Sequence, residues 1–335
     1  MKPHSIRPDQ ITSAHIGMII TRDQPTPVRT FRKGHEIIAE DLAYLAGSGQ
    51  RIHAVRLEDS DVPEIIAVTR IAEAVRGTHT ELQPIVQGRI NLRSSVRGLI
   101  RIDTESLFQL NLNPDIGVFT HYDGVAVNAD QMIAGVKIAP VAMDSNHLDT
   151  ALAKLPGPII DVLQFRPLKV VCIVTEVMQG RVRDRFEQTL QEKMDWYSAD
   201  LQPIAWLEED ADEVAEAIER EATHADLIFT AGSHMMDPLD AILTALQKSG
   251  SELIRLGAPA HPGSMVWAAW HEKTQTPILS LASCSMFSRS TVADLLMPYI
   301  FAGERITNET FASLGHGGLL DRGMDWRFPP YRTNE

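Results

Sequence analysis

The chain lacks three features that would each assign it to a broad class of protein. No apolar run approaches the roughly 20 residues of a membrane span, and the first residues lack the apolar core of a signal peptide. Only 2 cysteines occur in 335 residues, Cys172 in an apolar segment and Cys284 in a small-residue loop, and their spacing suits no metal site. These absences predict a cytoplasmic protein without disulfides and without a membrane partner.

Basic residues are also scarce relative to acidic ones. The 31 lysines and arginines face 44 aspartates and glutamates, which gives a formal charge of −13. Such a balance argues against a sequence-independent nucleic-acid surface, although it leaves room for local basic pockets. The length permits two or three domains at about 150 residues each. We therefore expect a multi-domain protein whose partner is a small molecule.

The N-terminal half indicates two small regions. Residues 1–75 predict an α+β unit with a basic hairpin-like segment at Phe31–His35, a helix over Ile37–Ala46, a strand over Arg51–Leu57 and a helix over 61–76. Residues 76–165 alternate in short apolar segments separated by turn residues. This second pattern predicts a β-rich or mixed region.

From Leu168 the pattern alternates between strands and helices, which predicts an α/β domain over 166–305 with a doubly wound, mostly parallel sheet. Residues 306–335 follow as a tail. Ligands of such sheets collect at the carboxyl ends of the strands. The loops after Val174, Thr230, Leu256 and Leu281 are therefore expected to converge on one site.

The stretch from Asp226 to Asp240 carries the strongest single signal. A short apolar run breaks into Ala231, Gly232 and Ser233, and a helix is predicted from about Pro238. Small residues let backbone N–H groups approach a phosphate, and a helix N-terminus adds its positive dipole end. The sequence leaves two roles open for Asp237: it is an N-cap, or it holds Mg²⁺ against a phosphate with Asp240 three residues on.

Several motifs in a fixed order resemble the molybdopterin-binding domain of the MoeA and MogA type, over about residues 166–305. The segments that carry the resemblance are Thr175-Glu176, Gly180–Asp184, Thr230–Asp240, Gly257–Gly263 and Leu281–Ser285. Upstream, Gly17–Ile20, Phe31–His35 and Glu40–Leu42 resemble the N-terminal part of short molybdopterin-binding proteins related to the molybdotransferases. The segment Leu314–Leu319 resembles a tail found among the same proteins.

The resemblance implies a three-layer MogA-like fold, a homo-oligomer and a set of site residues. It implies that molybdopterin is contacted by Thr175, Asp184, Ala231, Gly232, Ser233, Pro262, Gly263, Ser283 and Cys284. It implies catalytic roles for Glu176, Asp237 and Asp240, with the two aspartates as Mg²⁺ ligands. Independently of the resemblance, Arg289 is predicted to pair with phosphate oxygens through charge-assisted hydrogen bonds.

The chain also departs from the family pattern at three of these loops. The first loop lacks the usual Thr-Gly pair, Ala231 replaces one glycine of the second, and Ala282-Ser283 stands where Pro-Gly is usual. Two functions follow. The protein is an enzyme that inserts molybdenum into molybdopterin or its adenylylated form, or it is a carrier or sensor that binds the cofactor and serves a molybdoenzyme or assembly partner. A weaker alternative is an unrelated nucleotide-binding α/β protein.

Overall fold

The computed structural model describes residues 1–281 and 290–331. Contacts between residues group the chain into two compact units. Unit one comprises Met1–Ser95, Arg101–His121 and Asp130–Asp161, and unit two comprises Val96–Ile100, Tyr122–Ala129 and Val162–Glu335. The four-part division of the chain stays a prediction about independently folding domains. No helix in the described ranges is long and apolar enough to cross a membrane.

The elements up to residue 164 are short, and strands outnumber helices among them. They are β1 Lys2–Ile6, β2 Ile19–Ile20, β3 Gln24–Pro25, β4 Thr30–Phe31, α1 Asp41–Ala46, β5 Ile52–Arg56, β6 Asp61–Pro63, α2 Glu64–Val75, β7 Thr80–Leu82, β8 Arg89–Ser94, β9 Gly98–Ile102, α3 Thr104–Asn111, β10 Ile116–Thr120, β11 Ala126–Val127, β12 Met132–Ile138, β13 Ala142–Asp144, α4 Ser145–Leu152 and β14 Ile160–Gln164.

Unit one is built from small sheets. The strands order as β1-β5-β2, as β10-β12-β8-β7, and as the pairs β13-β6 and β3-β4, and neighbouring strands in these sheets run antiparallel. Helix α2 buries an apolar stripe of Val68, Ile71 and Val75 at a spacing of three and four residues, and it packs against β12 and β8. Amphipathic spacing thus indicates α2, but the predicted start at residue 61 is wrong, because Asp61–Pro63 pair with β13 and the helix begins at Glu64.

The helix predicted over Ile37–Ala46 is wrong in its first turn. Ile37 is extended, because its N–H donates to Met18 O and its carbonyl accepts from Gly17 N. The helix begins only at Asp41, whose carboxylate accepts the N–H of Ile38 at 3.0 Å. Backbone pairing with a distant segment therefore outcompetes local helix formation before Asp41.

Unit two contains the longer elements. They are β15 Lys169–Val174, α5 Arg181–Tyr197, β16 Asp200–Leu201, β17 Ala205–Trp206, α6 Ala211–Glu221, β18 Leu227–Ala231, α7 Ala241–Lys248, β19 Ser251–Leu256, β20 Trp267–His271, β21 Thr276–Leu281, α8 Val292–Ala302 and α9 Asn308–Ser313. Residues 98–100, 126–127 and 162–164 add a small sheet ordered β11-β9-β14.

The main sheet of unit two is mixed. Its order is β16-β15-β18-β21-β20-β19, with β17 also paired to β15. The pairings of β15 with β16, β17 and β18, and of β18 with β21, are parallel, whereas β20 is antiparallel to both neighbours. Strands β15, β18, β21 and β19 therefore point the same way and end at one edge, which we call the carboxyl edge.

Helices cover both faces of this sheet, as the alternation within β15 shows. Val170, Cys172 and Val174 pack into the apolar cluster that contains residues of α5 and α8. Val171 and Ile173 pack with residues of α6 and α7. Because successive strand side chains point to opposite faces, a strand buried on both faces is apolar throughout. The predicted α/β class is confirmed, and the finer MogA-like three-layer arrangement stays a prediction.

Candidate functional site

The loops after β15 and β18 meet at the carboxyl edge. The N–H of Thr175 donates to Ala231 O at 3.0 Å, so the last bond of the β15–β18 pairing holds the two loops together. Ala231 is the final, buried residue of β18, and Thr175 is also buried. The structure thus brings together two of the loops that the sequence predicts to converge.

Gly232 lets the two loops approach more closely than any other residue would. Its φ of +109° is a conformation that L side chains rarely adopt. A Cβ at this position would lie 2.5 Å from both Thr175 Oγ1 and Glu176 N. The glycine predicted to favour phosphate approach is therefore required for loop packing, and its role in phosphate binding stays a prediction.

Asp240 is the residue that organises the second loop. Its carboxylate is buried, and it accepts hydrogen bonds from Leu243 N at 2.9 Å, from Ser233 Oγ at 3.0 Å and from His234 N at 2.6 Å. It is the N-cap of α7, which begins at Ala241. The carboxylate therefore satisfies an orphan N–H of the helix and fixes the conformation of the loop that precedes it.

The predicted helix start at Pro238 is wrong, and the capping role proposed for Asp237 belongs to Asp240. Asp237 is exposed and its Oδ1 accepts the N–H of Leu239 at 2.9 Å, which forms a side-chain turn. The N–H of Asp240 donates to Asp237 O at 3.1 Å. Residues 237–239 therefore form a turn that places Asp240 at the N-cap position of α7.

The remaining acids of the predicted site lie around the first loop. Glu176 is half-buried beside Gly232, and Asp184 is exposed in the first turn of α5. Helix α5 starts after Gly180, whose φ of 51° and ψ of −132° require glycine. A 17-residue helix thus presents its positive N-terminal end to the region that follows β15.

The loop from Gly257 to Val266 joins β19 to β20 at the same edge. It turns back on itself, because Gly257 N donates to Val266 O and Ala258 N donates to Ser264 O. Gly263, with φ +99°, packs against the start of α8, where an added Cβ would lie 3.0 Å from Val292 N. Pro262 precedes it and is exposed.

The segment Leu314–Leu319, whose role the sequence does not reveal, supports this loop. His261 N donates to Gly318 O, and Leu320 N donates to His261 O, both at 2.8 Å. Gly318 fits so closely that a Cβ would lie 2.5 Å from Pro259 O. The backbone of this C-terminal segment therefore packs against the loop between β19 and β20 and stabilises it.

Three predicted contacts, Ser283, Cys284 and Arg289, lie outside the described residues.

A cleft of about 620 Å³ opens next to the second loop, lined by Ser233–Pro238 and Met265. Its volume lies within the roughly 300–1,000 Å³ typical of small-molecule sites. Apolar side chains stand exposed around it, with Met236 at 85% and Leu239 at 84% of their full accessibility. The polarisable thioether of a methionine suits contact with a flat ring system.

The side chains of the cleft do not fit the predicted Mg²⁺ site. Three protein donors already engage both oxygens of Asp240. Among the described residues, no group of three His, Cys, Asp or Glu side chains is arranged to hold a metal ion. Ca²⁺ and Mg²⁺ sites need several free oxygen ligands. The carboxylate of Asp240 is therefore a structural acceptor in the loop and does not fit the role of a Mg²⁺ ligand.

Two features of this edge are missed by the sequence analysis. Trp267 Nε1 donates to Ser233 Oγ at 3.3 Å, and Trp267 N donates to Ser280 Oγ at 2.8 Å, so a core tryptophan also orders the second loop. The second feature is a buried ion pair between Lys193 and Asp294. Lys193 lies on the apolar stripe of α5, and a lysine at a core position of an amphipathic helix is the available signal.

Asp294 also secures the start of α8. Its Oδ2 accepts from Thr291 N at 2.7 Å and from Thr291 Oγ1 at 3.0 Å, and its Oδ1 accepts from Tyr331 Oη at 2.7 Å. Burial, with the Asp294 charge second, raises the pKa of Tyr331 well above its usual range. The phenol therefore stays a hydrogen-bond donor.

Comparison with known proteins gives one informative match. Residues 169–302 match a family model described as a probable molybdopterin binding domain. No curated protein matches the chain. Among solved structures, the chain is similar to the molybdopterin biosynthesis MoeA protein from Pyrococcus horikosii, at 11% identity over 76% of each chain with a TM-score of 0.32. The matched range runs from β15 to α8, so the similarity to molybdopterin-binding domains covers the main sheet of unit two and the helices on its faces.

Proposed function

We propose that unit two binds molybdopterin or its nucleotide form at the carboxyl edge, and that the protein acts in molybdenum cofactor biosynthesis as a carrier of the cofactor. One observation carries the proposal: the cleft beside Ser233–Pro238 opens within the range of the family model, next to a loop that Asp240 holds rigid. A preformed loop does not spend binding energy on ordering itself.

Different residues of the carboxyl edge would contact the phosphate and the ring system of the ligand. The phosphate would lie at the loop of Gly232 and Ser233, where small side chains leave the backbone accessible. The ring system would lie against the apolar side chains of Met235 and Met265 in the cleft. Molybdopterin, when bound, supplies the dithiolene sulfurs that hold molybdenum, and the chain supplies position and shielding from water.

A titration tests the binding proposal. Under anaerobic conditions, the purified chain is titrated with molybdopterin and followed by fluorescence. We expect saturation at micromolar ligand. Gly232→Ala is expected to weaken affinity by about tenfold or more, because displacing the Thr175 and Glu176 loop costs more than about 1.4 kcal/mol.

Gly250→Ala is the matched control. Gly250 also has a positive φ, of +66°, but an added Cβ would meet nothing within 4 Å. Both variants therefore carry backbone strain, and only Gly232→Ala adds a steric clash at the site. A titration without saturation, or equal losses in the two variants, contradicts the proposal.

The molybdotransferase alternative has one observation in its favour. The carboxylate of Asp237 is exposed on the wall of the cleft, and its turn leaves one oxygen without a partner from the loop backbone. If this carboxylate is catalytic, Asp237→Asn abolishes turnover of adenylylated molybdopterin and leaves the fold intact, since the amide oxygen still accepts from Leu239 N. A carrier shows no turnover in the wild type, with or without Mg²⁺.

A further inference from the structure

A second cleft, of about 730 Å³, lies entirely within unit one. It is bounded by the turn Arg32–Gly34, the start of α2 at Pro63–Ile65, the hairpin turn that ends at Gly88, and the end of β12 with Lys137. Its volume is within the roughly 300–1,000 Å³ of small-molecule sites. The basic segment Phe31–His35, which the carboxyl edge of unit two does not use, contributes to this cleft.

The cleft is preformed, because one carboxylate ties three of its walls together. Lys33 Nζ donates to Glu64 Oε1 at 3.2 Å, and the Glu64 side chain is only 12% exposed. Gly88, with φ +70°, lies so close that a Cβ would be 2.4 Å from the same oxygen. Together with Gln87, at φ +51°, it forms a two-residue hairpin turn that requires positive φ at both positions.

The carboxylate of Asp23 contacts two residues of the basic segment, Arg32 and Lys33. Its Oδ2 pairs with Arg32 Nη1, and its Oδ1 accepts the N–H of Lys33 at 3.0 Å. Both cations of this turn are therefore oriented before any ligand arrives. Preorganised cations lose less conformational entropy when they bind an anion.

The cleft carries an excess of positive charge in a chain of net charge −13. Its walls hold three cations, Arg32, Lys33 and Lys137, against the two carboxylates of Asp23 and Glu64. Lys137 is the direct cross-strand partner of Arg89. Like charges opposite each other on paired strands are destabilising, and within residues 1–281 and 290–331 neither side chain has an ion-pair partner.

The rest of the wall is apolar. Ile19, Ile65, Ile85 and Val141 line the cleft, and Ile65 is 59% exposed in the first turn of α2. The cleft therefore offers both exposed apolar side chains and the ammonium group of Lys137. A ligand that uses both needs an apolar body and a negatively charged group.

We propose that this cleft binds a small organic anion, with the anionic group at Lys137 and the apolar body against Ile65 and Val141. Aryl phosphates and aryl carboxylates both combine an apolar ring with a negative charge, so phenyl phosphate and benzoate are the two probes that distinguish a phosphate ligand from a carboxylate ligand. Inorganic phosphate lacks the apolar body, and benzyl alcohol lacks the charge.

The full chain is titrated with each probe by saturation-transfer NMR. We expect phenyl phosphate or benzoate to bind more tightly than inorganic phosphate and benzyl alcohol. Lys137→Gln is expected to weaken binding about tenfold, which corresponds to one lost charge-assisted hydrogen bond. Lys154→Gln, which removes an exposed lysine elsewhere in unit one, is the matched control and is expected to have no effect.

The substitution Glu64→Gln is expected to change the affinity for the anion in the opposite direction to Lys137→Gln. It is nearly isosteric, and it removes the carboxylate that competes for Lys33 Nζ, so anion affinity is expected to rise several-fold. A damaged fold would not produce tighter binding.

Three results overturn the proposal. The first is equal binding of benzyl alcohol and the anions, and the second is unchanged affinity in Lys137→Gln. The third is phenyl phosphate binding that Gly232→Ala abolishes while Lys137→Gln preserves it, because the anion would then occupy unit two. Since molybdopterin binding is measured separately on Gly232→Ala, failure of either proposal leaves the other standing.

Discussion

The ammonium nitrogen of Lys193 lies 2.7 Å from Oδ1 of Asp294, although 101 residues separate them, and the two side chains are 6% and 0% exposed. The pair joins α5 to the start of α8. A buried ion pair contributes little net stability compared with apolar residues, but breaking one leaves an uncompensated buried charge. The pair is therefore a constraint on helix position in unit two.

Lys193→Met is expected to destabilise unit two by about 3–5 kcal/mol, because Asp294 then stays buried without its cation. Lys248→Met is the matched control, since Lys248 pairs with Asp212 at the surface and exposed pairs contribute about 0–1 kcal/mol. Urea denaturation followed by tryptophan fluorescence measures both. Equal losses in the two variants would show that the buried pair is not a structural constraint.

Asp240→Ala is expected to cost about 2 kcal/mol, at the upper end for N-caps, because the loop bonds from Ser233 and His234 are lost with the cap. It should also weaken molybdopterin binding, since the loop is no longer held rigid. Asp237→Ala is expected to change stability by less than about 0.5 kcal/mol, as is usual for exposed positions. Thermal unfolding measures the stability of the two variants. A larger loss of stability in Asp237→Ala than in Asp240→Ala would show that Asp237 is the N-cap.

Unit one is expected to lose stability in acid through Asp41. Burial alone raises the pKa of this carboxyl, but hydrogen bonds from Ile38 N and His35, with the charges of His35 and Arg29, outweigh burial and hold the pKa below its usual value of 3.8. A lowered folded-state pKa stabilises the fold above the unfolded pKa, and that contribution is lost as pH falls through the folded value.

The stability difference between wild type and Asp41→Asn should therefore be full near neutral pH and shrink below about pH 4. Denaturation of unit one at several pH values measures this difference. Asp59→Asn, at an exposed site, is the control and should show no such pH dependence. A difference that stays constant from pH 7 to pH 3 would contradict the assignment to Asp41.

Cys172 is expected to be chemically inert in the folded protein. It is fully buried in the middle of β15, and burial raises the pKa of its thiol well above the usual range, so thiolate is scarce. In a Cys284→Ser variant, alkylation by iodoacetamide should occur only at the rate of unfolding. Rapid alkylation of the native variant would show that β15 opens locally.

Strand and helix positions in unit two follow from local patterns. A strand buried on both faces is apolar throughout, so β15 and β18 are recognisable from composition alone, and α5 and α6 from spacing of apolar residues. The direction of β20 does not follow, because a five-residue apolar strand carries no signal for the orientation of its partner.

The α/β class, the meeting of the loops after β15 and β18, and the resemblance to molybdopterin-binding domains could all be predicted from the sequence, because these depend on residue type and order. That Asp240 rather than Asp237 caps α7 became clear only from the folded chain, since the cap depends on which carboxylate reaches Leu243 N. Tertiary structure also brought Lys193 to Asp294 and placed Lys33, Glu64 and Gly88 in one cleft. Such contacts join residues far apart in the chain, and no local pattern encodes them.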